Sequence, residues 1–391
     1  MKIFLLIAVI SCCFSACRKA HILSTIGTNS SFPWTDSSKS HPKSAAFKGL
    51  IEKYNQKGLP GISLLVRDVH GTWLGSVGKA DLERNIDFTI GQISKIASVS
   101  KFIIGTMVFK MFEDSIHTGM GYTALHKPIK TWLPSTITNR LANGNIATLV
   151  QLMNHESGIP DLIEENKFYL QALNSPNKYW SSAELVTFAY DKPPLFKPGD
   201  TAVYSNTNII LITLIVEYAT GQKHSDLIRK YVFNPLGMND THYFPYEKIS
   251  RNVAQGYYDL YNNNTIVNVS NIATGGMYSN LFDLYKFLDA MLLKKNFLLP
   301  KSISIMEFWG LKSDFPNIYG YGIMKKFIYR PEAEWGIGHS GRDLGYTANL
   351  FYFPHKSVSH IFLINYGSDG DSRLRNVFKQ FQEDLLDLTL H

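Results

Sequence analysis

Apolar residues recur along this chain in two rhythms. Within residues 45–57 they fall at Phe47, Leu50, Ile51 and Tyr54, one face of a helix, and Gly58 closes the run. Residues 61–67 and 72–77 are short apolar and β-branched stretches on either side of a turn at 68–71, which predicts a hairpin. Residues 78–90 are polar and read as a connection. A longer apolar run, Phe102 to Phe109, contains no proline and predicts a buried helix. The helical rhythm then dominates from about residue 125 to 293. Its landmarks are 127–134, 149–159, 181–190, the strongly apolar 207–218 closed by Thr220-Gly221, 224–232 and 283–292. Strand-like stretches return at 321–329, 346–353 and 359–366, and an amphipathic helix at 373–388 ends the chain. No internal repeat is visible.

Consecutive βαβ units are absent, so early and late strands most simply form one antiparallel sheet flanked by helices. This is an α/β arrangement of the α+β type. The helical middle, about residues 100–295, becomes an inserted lobe, and the seam between lobe and sheet is the natural place for a site.

The N-terminus breaks both rhythms. Lys2 is followed by the apolar run Ile3 to Ile10 and then by the small residues Ser15 and Ala16 before Cys17, the layout of an export signal. That run is too short to span a bilayer as a helix. Residues 1–17 are therefore read as a signal peptide of lipoprotein type. Phe14-Ser15-Ala16-Cys17 resembles a lipobox with Phe in the usual Leu place, and polar Arg18-Lys19 follow at once. Val9-Ile10-Ser11-Cys12 competes, and an ordinary cleaved signal is the plain alternative. Residues 18–44, rich in Ser, Thr and Pro, read as a flexible tether, and residues 45–391 as the folded domain. The three cysteines, Cys12, Cys13 and Cys17, all lie in the leader, so the body has no disulfide and no thiol nucleophile or ligand. The expectation is an exported envelope protein whose only membrane contact is a lipid on Cys17.

Composition adds a bound rather than an identity. The 391 residues are 45% hydrophobic with a formal charge of +7. Such a charge, without a Lys/Arg block, speaks against a nucleic-acid partner.

Three short motifs carry candidate chemistry. Ser98 and Lys101 are one helical turn apart and share a face, so hydroxyl and amine reach the same space. A serine becomes a nucleophile when a base takes its proton, and a buried lysine can be that base. The helix N-terminus adds N–H groups and positive dipole suited to an oxyanion. The bland alternative is an N-cap serine beside a solvated lysine. Further on, Tyr204 and Asn206 offer a phenol for proton relay and an amide for substrate and Lys101, or else a packed ring and a helix cap. Gly338-His339-Ser340-Gly341 offers a backbone edge for substrate, with His339 as a donor or a mild-acid cation toward a carboxylate. Its bland reading is a loop histidine in a glycine-rich turn. Asp369-Gly370-Asp371 lacks the further ligands of a calcium loop, and no H-E-x-x-H spacing occurs, so neither metal nor cofactor is expected.

S-x-x-K, then Y-x-N, then [KH]-[ST]-G, in this order, resembles the serine β-lactamase and penicillin-binding protein superfamily. The flanks agree: Ile96-Ala97 before Ser98, Asn154-His155-Glu156-Ser157-Gly158-Ile159-Pro160, Lys197-Pro198-Gly199, Pro235-Leu236-Gly237-Met238, and Ala273-Thr274-Gly275-Gly276 with Asp283-Leu284. The Y-x-N form is similar to class C β-lactamases, DD-carboxypeptidases and related esterases. The resemblance implies an acyl-enzyme at Ser98 with Lys101 and Tyr204 as proton acceptors. It also implies an oxyanion hole from the N–H groups of Ser98 and Arg342, and substrate binding along His339, Ser340 and Gly341. His339 stands where true class C β-lactamases carry Lys, which favours peptidase or esterase activity over β-lactamase. Asn154 and Glu156 depart from the usual Thr residues. The expected substrate is a small molecule or peptide: a cell-wall peptide ending in D-Ala, an ester, or a β-lactam. A non-turnover penicillin-recognising sensor would keep the same residues.

Overall fold

The computed structural model describes residues 25–26, 37–164, 166–175, 178, 180–249, 252–259, 261–262, 276–311, 317–368, 370 and 372–391. The leader with Cys12 and Cys17, the stretch Ala273-Thr274-Gly275, and Asp369 and Asp371 lie outside the described residues.

Thirteen short strands are described. They are β1 (Gly61–Asp68), β2 (Gly71–Asp81), β3 (Ile86–Asp87), β4 (Ser94–Lys95), β5 (His242–Tyr243), β6 (Tyr257–Tyr258), β7 (Tyr261–Asn262), β8 (Met277–Ser279), β9 (Asn317–Tyr319), β10 (Met324–Lys326), β11 (Gly336–Arg342), β12 (Thr347–Phe353) and β13 (Val358–Ile364). Eight form one antiparallel sheet in the order β3-β2-β1-β13-β12-β11-β10-β9. The first and last long strands are neighbours, with Leu64 opposite Phe362. β4, β8 and β5 form a small second sheet inside the helical lobe.

Side chains on the central strands alternate between two cores, as the pleat requires. Ile62, Leu64, Phe351, Phe353, Phe362 and Ile364 face the helices Ser44–Gln56 and Arg375–Leu390. Leu65, Ala348, Leu350, Ile361 and Leu363 face the helical lobe. A sheet covered on both faces gives nearly continuous apolar strands rather than clean alternation, which is the texture of residues 61–66 and 358–364. The expected antiparallel sheet with an inserted helical region is thus present. Among the described residues no helix is long and apolar enough to cross a membrane.

Several boundaries differ from expectation. The polar connection 78–90 is partly strand, because β2 runs on to Asp81 and pairs with β3. β11 was not expected as a strand at all. The sequence between 321 and 329 forms only the short β10. The packed body also begins earlier than residue 45: the Ser37 N–H donates to Thr72 O at 2.9 Å, and His41 Nε2 lies 3.0 Å from Asp68 Oδ1. Residues 37–44 are therefore tied to the hairpin instead of belonging to a free tether.

Candidate active site

The site forms where the helix Ser100–Glu113 meets the edge of β11. Ser98 sits in the 3-10 turn Ala97–Val99 just ahead of that helix, and Lys101 lies in its first turn. Ala97 takes φ +46, a left-handed conformation that a Cβ disfavours. The turn is held by Val99 N–H to Ile96 O at 3.1 Å and by Ser100 Oγ to Ala97 O at 2.6 Å. It presents Ser98 toward the sheet.

Lys101 Nζ donates to Ser98 Oγ at 2.9 Å and to Asn206 Oδ1 at 2.8 Å. The Tyr204 hydroxyl donates to Ser98 Oγ at 2.9 Å. Asn206, 105 positions from Lys101, thus reaches the same amine as Ser98, because the helix Asn206–Thr220 packs in the lobe beside Ser100–Glu113. Lys101 is 1% exposed. Burial pulls its amine down to about 7, against the opposing pull of the Asp161 carboxylate. At neutral pH an appreciable fraction is free base, whose lone pair can accept the Ser98 proton.

Asp161 was not singled out from the sequence. Its Oδ2 accepts from Asn206 Nδ2 at 2.8 Å, and burial pushes its carboxyl above the usual range. This bond orients the Asn206 amide so that its oxygen faces Lys101. His155, within the stretch 154–160, backs the Tyr204 ring. Its ring lies 4.6 Å from that of Tyr204, which is also 5.8 Å from Tyr319. Burial first, then the charge of Lys101, holds His155 well below its ordinary value. A neutral ring can accept, and Nδ1 lies 3.3 Å from the Ser205 N–H. Ser157 Oγ donates to Asn208 Oδ1 at 2.6 Å. The stretch 154–161 is thus the frame on which Tyr204 and Asn206 are mounted. Within it Glu156 accepts from the Leu311 N–H at 3.0 Å.

Across the cleft, β10 pairs with β11 over Gly336 to Gly338, short of the His339–Arg342 end. Gly341 lies against the Ser98 turn: a Cβ there would stand 2.1 Å from Ile96 O and 3.0 Å from Ser98 N. Only glycine permits this approach, and it brings the backbone of Arg342 next to that of Ser98. The Arg342 side chain points away, its guanidinium 5.3 Å from the Phe378 ring.

His339 requires a correction. The sequence left it as a donor or a cation toward a carboxylate. It is buried, and its Nδ1 lies 2.7 Å from Ser340 O, a group that can only accept. Nδ1 therefore carries the proton and Nε2 presents a lone pair. Burial, reinforced by Lys101, lowers the ring to about 3. His339 is neutral across the ordinary pH range and offers neither cation nor Nε2 donor. Lys326 on β10 donates from Nζ to Ser340 Oγ at 2.8 Å, and it lies 5.6 Å from the Phe327 ring and 5.9 Å from the Phe351 ring, on the sheet face turned away from the lobe.

An antiparallel sheet with an inserted helical lobe, and a serine held between a buried lysine and a tyrosine at their seam, defines the active-serine class of β-lactamase-like folds. The Beta-lactamase family model matches residues 47–382, and the chain belongs to that family. Its similarity extends to the D-alanyl-D-alanine-carboxypeptidase/endopeptidase AmpH of Escherichia coli K12, with 26% identity over 60% of this chain and 58% of that protein. Penicillin-binding protein 4* of Bacillus subtilis is 24% identical over 76% of this chain and 66% of that one. The match thus spans about three fifths to two thirds of these curated relatives. The crystal structure of D-amino acid amidase from Ochrobactrum anthropi SV3 superposes with a TM-score of 0.73 at 24% identity, covering 88% of this chain and 96% of that one. That likeness establishes the fold.

Proposed function

We propose that this chain is a serine hydrolase that forms an acyl-enzyme at Ser98. Its preferred substrates are small peptides ending in D-Ala. The observation that carries the reading is Ser98 Oγ, 2.9 Å from both the depressed Lys101 amine and the Tyr204 hydroxyl. Free-base Lys101 takes the Ser98 proton as Oγ attacks the substrate carbonyl. The resulting oxyanion is met by the N–H groups of Ser98 and Arg342. Collapse breaks the C–N or C–O bond, and the leaving group takes a proton relayed through Tyr204. Water then attacks the ester, delivering its proton to the same bases and freeing Ser98.

In this proposal a C-terminal carboxylate lying along β11 is met by Lys326, whose Nζ is held by Ser340 Oγ at 2.8 Å. The names of the relatives point the same way, since one is a D-alanyl-D-alanine carboxypeptidase. A neutral His339 also favours a second reading, an esterase or amidase for uncharged substrates. An N-acyl-D-Ala-D-Ala peptide and its C-terminal amide separate the two. D-Ala release that prefers the free carboxylate, with the preference lost in Lys326→Met, is the expected result. Fast p-nitrophenyl ester turnover without D-Ala release would establish the esterase. A single stoichiometric acylation by a fluorescent penicillin, without turnover, would establish a sensor. Export and lipid attachment at Cys17 belong to the same proposal. Cys17→Ser should abolish lipid labelling in a bacterial host, and persisting label would move the anchor to Cys12.

A further inference from the structure

Lys95 and Asp343 take no part in the constellation around Ser98, yet each terminates a segment that carries one side of it. Lys95 ends β4, three residues before Ser98, and is 1% exposed. Its strand is fastened to the lobe, with Lys95 opposite Tyr278 and the Ile96 N–H donating to Met277 O at 3.0 Å. The left-handed Ala97 follows directly. Asp343 immediately follows Arg342 at the end of β11. Its Oδ1 accepts from the N–H groups of Gly345 at 2.9 Å and Tyr346 at 2.8 Å, which fixes the carboxylate on the turn into β12. Its Oδ2 meets Lys95 Nζ at 3.1 Å.

Burying the Lys95 ammonium costs desolvation, and such pairs often add little stability over apolar residues of the same size. What a buried ammonium paired with a fixed, partly buried carboxylate supplies is a set distance. The two segments it joins contain the Ser98 and Arg342 amides, and they already touch through Gly341.

We infer that the Lys95–Asp343 ion pair is a clasp that sets the spacing between the Ser98 and Arg342 amides, making both side chains positioning residues for oxyanion stabilisation. The inference rests on the reading of Ser98 as nucleophile. Oxyanion donors act through geometry that is complete before reaction, so a small displacement weakens transition-state binding while leaving ground-state binding alone.

The test measures a fluorophosphonate labelling rate constant, inhibition by phenylboronic acid, kcat and KM for an ester, and Tm. Lys95→Met and Asp343→Asn should each lower labelling rate and kcat by about 10- to 100-fold, less than the loss of a whole donor. Phenylboronic acid should weaken by the same factor, with KM within about twofold. Lys95→Arg should recover most of the loss. The double variant should be no worse than either single one, because both break the same contact. Should the neutral variants not fold, Asp343→Glu keeps the pair but lengthens it, and kcat should fall at near-native Tm. Labelling and boronate inhibition unchanged from wild type in folded variants, or unchanged kcat in Asp343→Glu, overturns the clasp. A wild-type protein that is not labelled at Ser98 overturns the underlying reading and the clasp with it.

Discussion

Lys101 is buried against a helix lobe with one carboxylate in reach, and that balance sets its titration. Burial lowers the amine to about 7 and Asp161 pulls it back. If the free base is the proton acceptor, kcat/KM should rise with pH through that region, and Lys101→Ala should cost about 100-fold or more. Asp161→Asn removes the opposing anion, so the acid limb of kcat/KM should move to lower pH. An unmoved limb would show that a different group titrates there. His339 gives the contrasting expectation. Since it stays neutral, the ratio of carboxylated to neutral substrate turnover should be flat from about pH 5 to 9, without the step near 6.5 of an ordinary histidine. Ser98, Lys101, Tyr204 and Asn206 were legible in the sequence because each lies within a short fixed spacing of its partner motif. Asp161 was not, because its bond to Asn206 joins residues 45 apart that only the folded lobe brings together. The state of His339 was hidden for the same reason: burial and the neighbouring Lys101 are properties of the fold.

At the scale of elements, β11 is the strand that the apolar pattern does not show. Gly336, Gly338 and Gly341 interrupt any apolar alternation, so the stretch reads as a turn. It is nevertheless paired with β12 from Ile337 to Arg342, His339 opposite Leu350 and Gly341 opposite Ala348. The pairing is imposed by the neighbouring strand, and the glycines serve the close approach to the Ser98 turn. Gly341→Ala should therefore damage function more than folding. Its Cβ would collide with Ile96 O, and relief requires β11 or the turn to shift. Overpacking of this kind costs about 1–3 kcal/mol, while Ser98 labelling should fall by about 10-fold or more as the oxyanion donors separate. Near-native labelling with a large loss of Tm would reverse that assignment. The helix Asn206–Thr220 was easier to read: it is apolar on every face because the lobe surrounds it, and Gly221, at φ +69, ends it with its N–H on Glu217 O.

The described residues form two large cores on the two faces of the eight-stranded sheet, with a small third cluster around Tyr278, and Ser98 and Lys101 lie on the lobe side. An antiparallel sheet with an inserted helical region was legible from the order of rhythms along the chain. That β1 lies beside β13 was not, since no local pattern encodes a pairing across some 300 residues. The division has a measurable consequence. Phe381, on the helix Arg375–Leu390, is fully buried in the core opposite the site, with its ring 5.4 Å from that of Tyr54 and 5.3 Å from that of Phe362. Phe381→Ala should leave a cavity and cost about 3–5 kcal/mol. The sheet stands between that cavity and Ser98, and its strands are fastened on the lobe side by Leu65, Leu350, Ile361 and Leu363. Thermal or urea unfolding should therefore move to markedly lower temperature or denaturant, while the Ser98 labelling rate constant, measured well below the transition, stays within about twofold of wild type. Equal loss of labelling and stability would mean that strain crosses the sheet and that the two cores act as one. Loss of labelling at unchanged Tm would place the C-terminal helix in the catalytic machinery, against its position in the fold.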